Sequence, residues 1–301
     1  MLTASIQDYL NQFFSTKLGQ KVVSVQAHAI GGGCINETYR LIINRNLTFF
    51  LKINSATKYP QLFDKEKNGL QFLGQANCIR VPTVIDCVQI DNRQILLLEH
   101  IEQGIHTEQF WRKFGEQLAA LHRKKWLNKI GESLFGLHED NYIGSLPQYN
   151  SQHTSWSEFF IRYRLQPQVK NAIENHSLQK KHTDAFEKLY GRLPGIFDIE
   201  NSSLLHGDLW SGNFMCNQNA EPVLIDPAIY FGDRSMDLAM TTLFGGFDKQ
   251  FYESYDYHFP FPKNYREQWD VANLYPLLIH LNLFGPGYLS QVQSVLRKYG
   301  N

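Results

Sequence analysis

The chain has 301 residues, 43% of them hydrophobic and 19% charged, and its 29 basic and 29 acidic side chains cancel. That is enough chain for two separately cored lobes, and the balance offers no excess positive charge for nucleic acid or an anionic membrane as the main partner. The opening MLTASIQDYL has no charged region ahead of an apolar core, and the most apolar stretch, residues 274–289, is broken by His280, Asn282 and two glycines, so a cytoplasmic chain without signal peptide or membrane span is expected.

In chain order, Ile6, Leu10, Phe13 and Phe14 recur at helical spacing behind Thr3 or Ser5, either of which can cap the helix. Val22, Val23, Val25 and Ala27 then begin a strand that ends at Gly31-Gly32-Gly33. A second strand runs through Tyr39, Leu41 and Ile43, and a turn at residues 44–46 leads to a third, residues 48–53, which carries Lys52. Three glycines between paired strands permit close backbone approach to phosphates, with N–H groups free to bond their oxygens. No G-K-[ST] follows, so this is not a Walker loop. A lysine inside an apolar strand is expensive to bury unpaired, and the helix expected over residues 60–75 offers Glu66, with Asp64 as the shorter rival. Strands at residues 83–90 and 94–98 run into a polar connector, residues 99–104. We place the hinge there, with Glu99, His100 and Ile101 positioned to meet an adenine through exposed backbone groups.

Beyond the hinge the pattern turns helical. Residues 107–127 carry Phe110, Phe114, Leu118 and Leu121 on one face, and residues 140–144 read as a loop. Two more helices are expected over residues 156–175 and 179–193, the first kinked by Pro167. Residues 252–299 suggest two proline-punctuated helices that supply packing aromatics. The four cysteines, Cys34, Cys78, Cys87 and Cys216, form no C-x-x-C pair, which argues against a zinc knuckle and for reduced thiols. Cys34 lies inside the proposed phosphate loop, where it is either a redox-sensitive thiol or a small packing residue.

The stretch that organises the chain is SLLHGDLWSGNFMCNQNAEPVLIDPAIYFGDRSMDLAM, residues 203–240. Asp208 is followed five positions later by Asn213, and Asp226 lies eighteen beyond Asp208. The D-x4-N spacing is that of the kinase catalytic loop, where the acid accepts the substrate hydroxyl proton, the amide holds magnesium and a later acid ligates the metal on the nucleotide phosphates. Hard cations want oxygen ligands, which a carboxylate and an amide carbonyl supply. Asp208 is therefore the candidate catalytic base, Asn213 and Asp226 the candidate metal ligands, and Lys52 held by Glu66 the candidate phosphate clamp. Gly207 stands where regulated protein kinases carry arginine, and no A-P-E follows, so a small acceptor or a modified side chain in an open cleft is expected rather than a docked peptide.

The runs LLHGDLWSGN and IDPAIYFGDRSMDLAMTTLFGG, with GGGCIN, the lysine of FFLKIN, Glu66 and LLLEHIE ahead of them, resemble the fructosamine kinase (ketosamine-3-kinase) family, relatives of the aminoglycoside phosphotransferases. The resemblance spans nearly the whole chain. It implies a two-lobed, protein-kinase-like α+β fold, with a small antiparallel β lobe (residues 1–101) that binds ATP and a larger, mainly helical lobe (residues 102–301) that holds the catalytic and substrate groups. It also implies ATP and Mg2+ as cofactors, and phosphorylation of the 3-hydroxyl of ketosamines formed by protein glycation. The resulting 3-phosphate is unstable and frees the amine. The expected partners are ATP and a small ketosamine or glycated amine, with no nucleic acid or membrane, the chain acting as a monomer or weak dimer.

Three other positions in the stretch carry open alternatives. Trp210 either stacks on a sugar ring or packs the loop. Asp233, with Arg234 beside it, either meets the substrate or caps the following helix. His206 either braces the catalytic loop or transfers protons, and bracing is the favoured reading because nothing places it beside the acceptor. The competing functions are a kinase for another small hydroxyl or amino compound (aminoglycoside, choline or homoserine type) and a nucleotide-binding pseudokinase. The second would require a missing catalytic acid or metal ligand, and none is missing.

Overall fold

The computed structural model describes residues 2–31, 35–126, 133–197 and 201–300. Gly32, Gly33 and Cys34, on which part of the phosphate-loop expectation and the redox idea rest, lie outside the described residues.

Helix α1 (Ala4–Leu18) is capped by Thr3, whose Oγ1 accepts from the Ile6 amide, and it buries Ile6, Leu10 and Phe14 at i, i+4, i+8. Strands β1 (Val25–Ile30), β2 (Glu37–Ile43) and β3 (Leu47–Ser55) follow, then α2 (Leu62–Ala76), β4 (Val84–Ile90) and β5 (Arg93–Glu99). They form one antiparallel five-stranded sheet in the order β1-β2-β3-β5-β4. The β2–β3 turn places Asn44 and Arg45 at φ +50° and +68°, the left-handed pair a tight hairpin needs. Asn44 Oδ1 also accepts from the Val23 and Ser24 amides, which holds that segment off the sheet edge. The first strand therefore starts at Val25, not at Val22 as expected.

The period-2 alternation of β3 sets up the chemistry. Leu51 and Ile53 point to the face covered by α1, where they pack with Leu41, Ile43, Ile95 and Leu97. Lys52 points to the opposite face, where Leu96 and Leu98 meet Phe63 and Leu70 of α2. A strand lysine thus faces a helix by necessity, and α2 brings Glu66 to it.

After the hinge, α3 (Glu108–Arg123) is capped by Thr107 and buries Phe110, Phe114, Leu118 and Leu121. Residues 140–144, expected as a loop, belong to a small hairpin of β6 (Asn141–Ile143) and β7 (Leu146–Gln148). Next come α4 (Trp156–Phe160), a π-helical turn (Ile161–Leu165), α5 (Gln166–Glu174) and α6 (Lys180–Ile196). The catalytic region holds β8 (Ser203–Leu205), β9 (Phe214–Cys216), β10 (Pro222–Leu224), β11 (Tyr230–Gly232) and α7 (Ser235–Met240). The carboxyl-terminal region contains four α-helices where two were expected: α8 (Lys249–His258), α9 (Tyr265–Ala272), α10 (Leu274–Phe284) and α11 (Leu289–Tyr299). Pro276 sits in the first turn of α10, where its missing N–H leaves no intrahelical bond unmade, so it opens a helix instead of interrupting one. Among the described residues no helix is long and apolar enough to cross a membrane.

Pro167 acts through its missing donor. The Tyr163 carbonyl, four residues earlier, is instead met by Arg164 Nη1 at 3.0 Å, and the helix widens into the π-turn just before Pro167. Arg164 is fully buried; it also donates to Tyr149 O at 2.5 Å and Asn150 Oδ1 at 2.6 Å, and lies 3.9 Å over the Tyr230 ring. Arg164→Met keeps the volume but strips three acceptors of their donor. We expect a loss of about 2–4 kcal/mol in urea unfolding. A change below 0.5 kcal/mol would show, by about the size of a single weak hydrogen bond, that water replaces the guanidinium.

Candidate active site

The site is built on two short antiparallel pairs, β8 with β11 and β9 with β10. Asp208 lies on the loop from β8 to β9, and Asp226 lies two residues beyond the end of β10. Asn213 Nδ2 donates to both the carbonyl and Oδ2 of Asp208 at 2.8 Å, so the amide nitrogen is committed to the acid and the amide oxygen is left as a ligand. Across the cleft, Lys52 Nζ lies 2.7 Å from Glu66 Oε1 and 2.9 Å from Asp226 Oδ1. Asp64 pairs instead with Lys67 at 2.9 Å. Asp208, Asn213, Asp226, Lys52 and Glu66 thus line one cleft of about 500 Å3.

Two backbone positions beside the site are left-handed. Gly207 sits at φ +82°, and a Cβ there would overlap the Ala228 carbonyl. Asp226 adopts φ +54°, unusual for a non-glycine residue, and this conformation directs its carboxylate toward Lys52. What holds the loop is Asp237, 1% exposed: Oδ2 accepts from the His206 amide at 2.7 Å and Oδ1 from the Gly207 amide at 2.8 Å. His122 Nε2 reaches the same carboxylate at 3.2 Å, and its Nδ1 meets the Tyr255 hydroxyl at 2.9 Å. His206 is itself buried, and Nε2 bonds Ile225 O at 2.8 Å while Nδ1 accepts from the Asp208 amide at 3.3 Å. Burial pushes its pKa down, which keeps the ring neutral and in one tautomer. The ring spans the segments that carry Asp208 and Asp226, a bracing geometry.

Burial is also the main cause that raises Asp208 to about 7; the Asn213 hydrogen bond opposes it, and the Asp226 and Asp237 charges add to it. For Lys52, burial pulls the pKa down, but the Asp226 and Glu66 carboxylates outweigh it and hold the ammonium firmly charged.

The remaining candidates divide. Trp210 stands at the cleft, 36% exposed, with Phe244 edge-on at 6.0 Å. Gly31 follows β1, and a Cβ there would meet nothing within 4 Å among the described residues. At the hinge, the Glu99 carboxylate is committed to Arg80 and to the Thr83 amide and hydroxyl, the Glu99 amide donates to Thr83 O at 2.9 Å, and residues 99–101 are not among those that line the cleft. Ile101 is buried, and His100 Nδ1 is buried without a partner among the described residues. Asp233 and Arg234 are not brought to the cleft. Asp233 is buried and accepts from the Ser235 amide at 2.6 Å, the capping alternative, while Arg234 donates to the Phe259 and Pro260 carbonyls and covers the Phe259 ring. Asp237 and His122 carried no assigned role in the sequence; the D-x-A-M-T spacing was the available signal for the first, and nothing marked the second.

The lobes are tied at the hairpin that bears these groups. Gly104 donates to Cys216 O at 2.8 Å, and Leu224 donates to Arg80 O at 2.9 Å. A Cβ at Gly104 would overlap the Asn217 carbonyl, so glycine is required for the hinge to run this close to β9.

The family model described as fructosamine kinase matches residues 6–301. A Synechocystis protein assigned as a ketoamine kinase is 36% identical over 95% of this chain and 94% of its own. The chloroplastic protein-ribulosamine 3-kinase of Arabidopsis thaliana is 32% identical over 99% of this chain and 89% of its own. A solved structure assigned as a fructosamine-3-kinase from Haemophilus somnus superposes with a TM-score of 0.85 at 26% identity, covering 96% of each chain. A type I macrolide 2'-phosphotransferase, at a TM-score of 0.57 and 12% identity over 99% of this chain and 98% of that one, shares the kinase-like fold.

Proposed function

We propose, for a chain that belongs to the fructosamine kinase family, that this site transfers the γ-phosphoryl group of ATP to the 3-hydroxyl of a ketosamine. The protein is a phosphotransferase acting on a hydroxyl group, and it uses ATP. The observation that carries the reading is the convergence in one cleft of Lys52 and Glu66, from the sheet and its helix, with Asp208, Asn213 and Asp226 from the catalytic hairpins.

In this mechanism the acceptor hydroxyl gives its proton to Asp208 as its oxygen attacks the γ-phosphorus, and the bond to the β,γ-bridging oxygen breaks to release ADP. Lys52, oriented by Glu66, neutralises phosphate charge as it redistributes. The Asp226 carboxylate and the Asn213 amide oxygen form a hard-oxygen pair suited to Mg2+; there the ion would neutralise the β- and γ-phosphates. Gly31, Gly32 and Gly33 would cover the phosphates, the main chain of Glu99, His100 and Ile101 would meet the adenine, and Trp210 would face the sugar. Residues 1–101 then form the nucleotide lobe and 102–301 the catalytic lobe of a cytoplasmic enzyme.

The test is ADP release with ribulosyl-lysine, fructosyl-lysine, an aminoglycoside and choline. Turnover on a ketosamine at least about 100-fold above the other two classes is expected, because a site built for one set of hydroxyls leaves buried polar groups unpaired with another. Turnover confined to the aminoglycoside or choline would overturn the substrate and keep the chemistry.

A further inference from the structure

The helix that carries Glu66 is held in place by a carboxylate outside the reaction. Lys65 Nζ lies 2.7 Å from Glu139 Oε2, and Asn68 Nδ2 donates to Glu139 Oε1 at 2.9 Å. Lys65 and Asn68 are i, i+3 neighbours and share a face of α2, so both oxygens of one carboxylate grip a single helix. The first turn of α2 is fixed to its own sheet, since buried Gln94 Oε1 accepts from the Phe63 amide at 3.0 Å in place of a Gln61 cap, and Glu139 adds the tie from the other lobe. Glu139 is itself anchored, since Asn150 Nδ2 donates to its carbonyl at 3.1 Å and the buried Arg164 fixes Asn150. On the same side, a Cβ at Gly69 would lie 3.3 Å from Pro227, so α2 closes directly on the segment that follows Asp226.

We propose that Glu139 is a positioning residue for phosphoryl transfer: it ties α2 to the helical lobe so that Glu66 keeps Lys52 oriented before nucleotide arrives. This rests on the ATP-binding half of the function proposed above and holds for any acceptor. An α2 free to swing would separate Glu66 from Lys52 and leave a lysine that is 2% exposed beside Asp226 alone. With α2 tied down, the resting protein needs no activating rearrangement, and the property Glu139 governs is affinity for the nucleotide.

Full-length Glu139→Ala and Glu139→Gln proteins would be compared with the parent, each with and without Lys52→Ala. The dissociation constant of a fluorescent ATP analogue with Mg2+ and the rate of ADP release are the readouts. Because contacting residues couple, Glu139→Ala should weaken nucleotide binding about 5- to 20-fold and lower kcat, with acceptor KM unchanged. Glu139→Gln, which still accepts from one partner, should fall between. In the Lys52→Ala background the same change should add less than about twofold, because the residue acts through that lysine. Glu139 is partly exposed, so the variants retain the fold, and a melting temperature near the parent's checks it. Nucleotide affinity within twofold of the parent, or an undiminished effect without Lys52, overturns the proposal. Failure of every ketosamine acceptor would sink the substrate reading while the nucleotide arm still decides Glu139; a parent that binds no nucleotide overturns both.

Discussion

Asp208→Asn should lower kcat by about 10^3-fold, at the middle of the range for loss of a general base, and at pH 8 it should melt higher than the parent. The two effects have one cause. Burial lifts the Asp208 pKa to about 7 from an ordinary 3.8, so the folded protein favours the protonated acid. A group with a raised folded pKa contributes stability that is complete below its unfolded value and is lost as pH rises through the folded value. The window is therefore about pH 4 to 7, with a slope of at most about 1.4 kcal/mol per pH unit. Allowing for relaxation of the site, ionised Asp208 costs about 1–3 kcal/mol at neutral pH. The asparagine has the same shape, keeps an acceptor for Asn213 Nδ2 at the position now 2.8 Å away, and carries no charge. Paired melts at pH 5 and pH 8 would show the variant gaining on the parent with pH, by about 1–4 °C between them. The same ionisation makes parental kcat/KM rise through pH 7, before Mg2+ and the phosphates shift it. Identical pH dependence of the two melts, or an activity loss under tenfold, would remove Asp208 from the role of base.

The contrast between what was visible in the residues and what was not follows the range of the interactions. Lys52 and Glu66 were legible because β3 alternates with period 2 and α2 with period 3.6, and two short-range patterns suffice to aim both side chains. Asp208 and Asn213 were legible because a loop of fixed spacing carries its own geometry. Asp237 and Glu139 were not, since each accepts hydrogen bonds from groups distant in the chain (31 residues back to His206, 71 back to Asn68) and no local periodicity records such a partner. The strands β9 and β11 are three residues long, too short for alternation to show, and they exist because β10 and β8 pair with them. Asp233 is engaged locally, because an acid two residues ahead of a helical amide satisfies that amide first.

Gly207→Ala tests the catalytic loop from the backbone side, and its effect on activity should approach that of losing the acid. At φ +82° an alanine costs about 1–2 kcal/mol from its own Cβ, before any neighbour is considered. The neighbour is the Ala228 carbonyl, main chain of the segment after Asp226, which donates its own amide to His206 O at 2.9 Å and cannot rotate away as a side chain would. Relief must come from a shift of the loop, and the loop's amides at His206 and Gly207 are fixed by a buried carboxylate. The strain therefore passes to Asp208, the next residue. A displacement near 1 Å at a reacting group costs about 100-fold in rate, so kcat should fall about 10^2-fold or more. Gly191→Ala provides the opposite case in the same protein. It lies inside α6, where a Cβ meets nothing within 4 Å, and it should stabilise by about 0.5–1 kcal/mol with activity unchanged. A Gly207→Ala enzyme with kcat within threefold of the parent would mean that the loop relaxes freely, and that Asp208 is placed by its side-chain partners rather than by the backbone on which it stands.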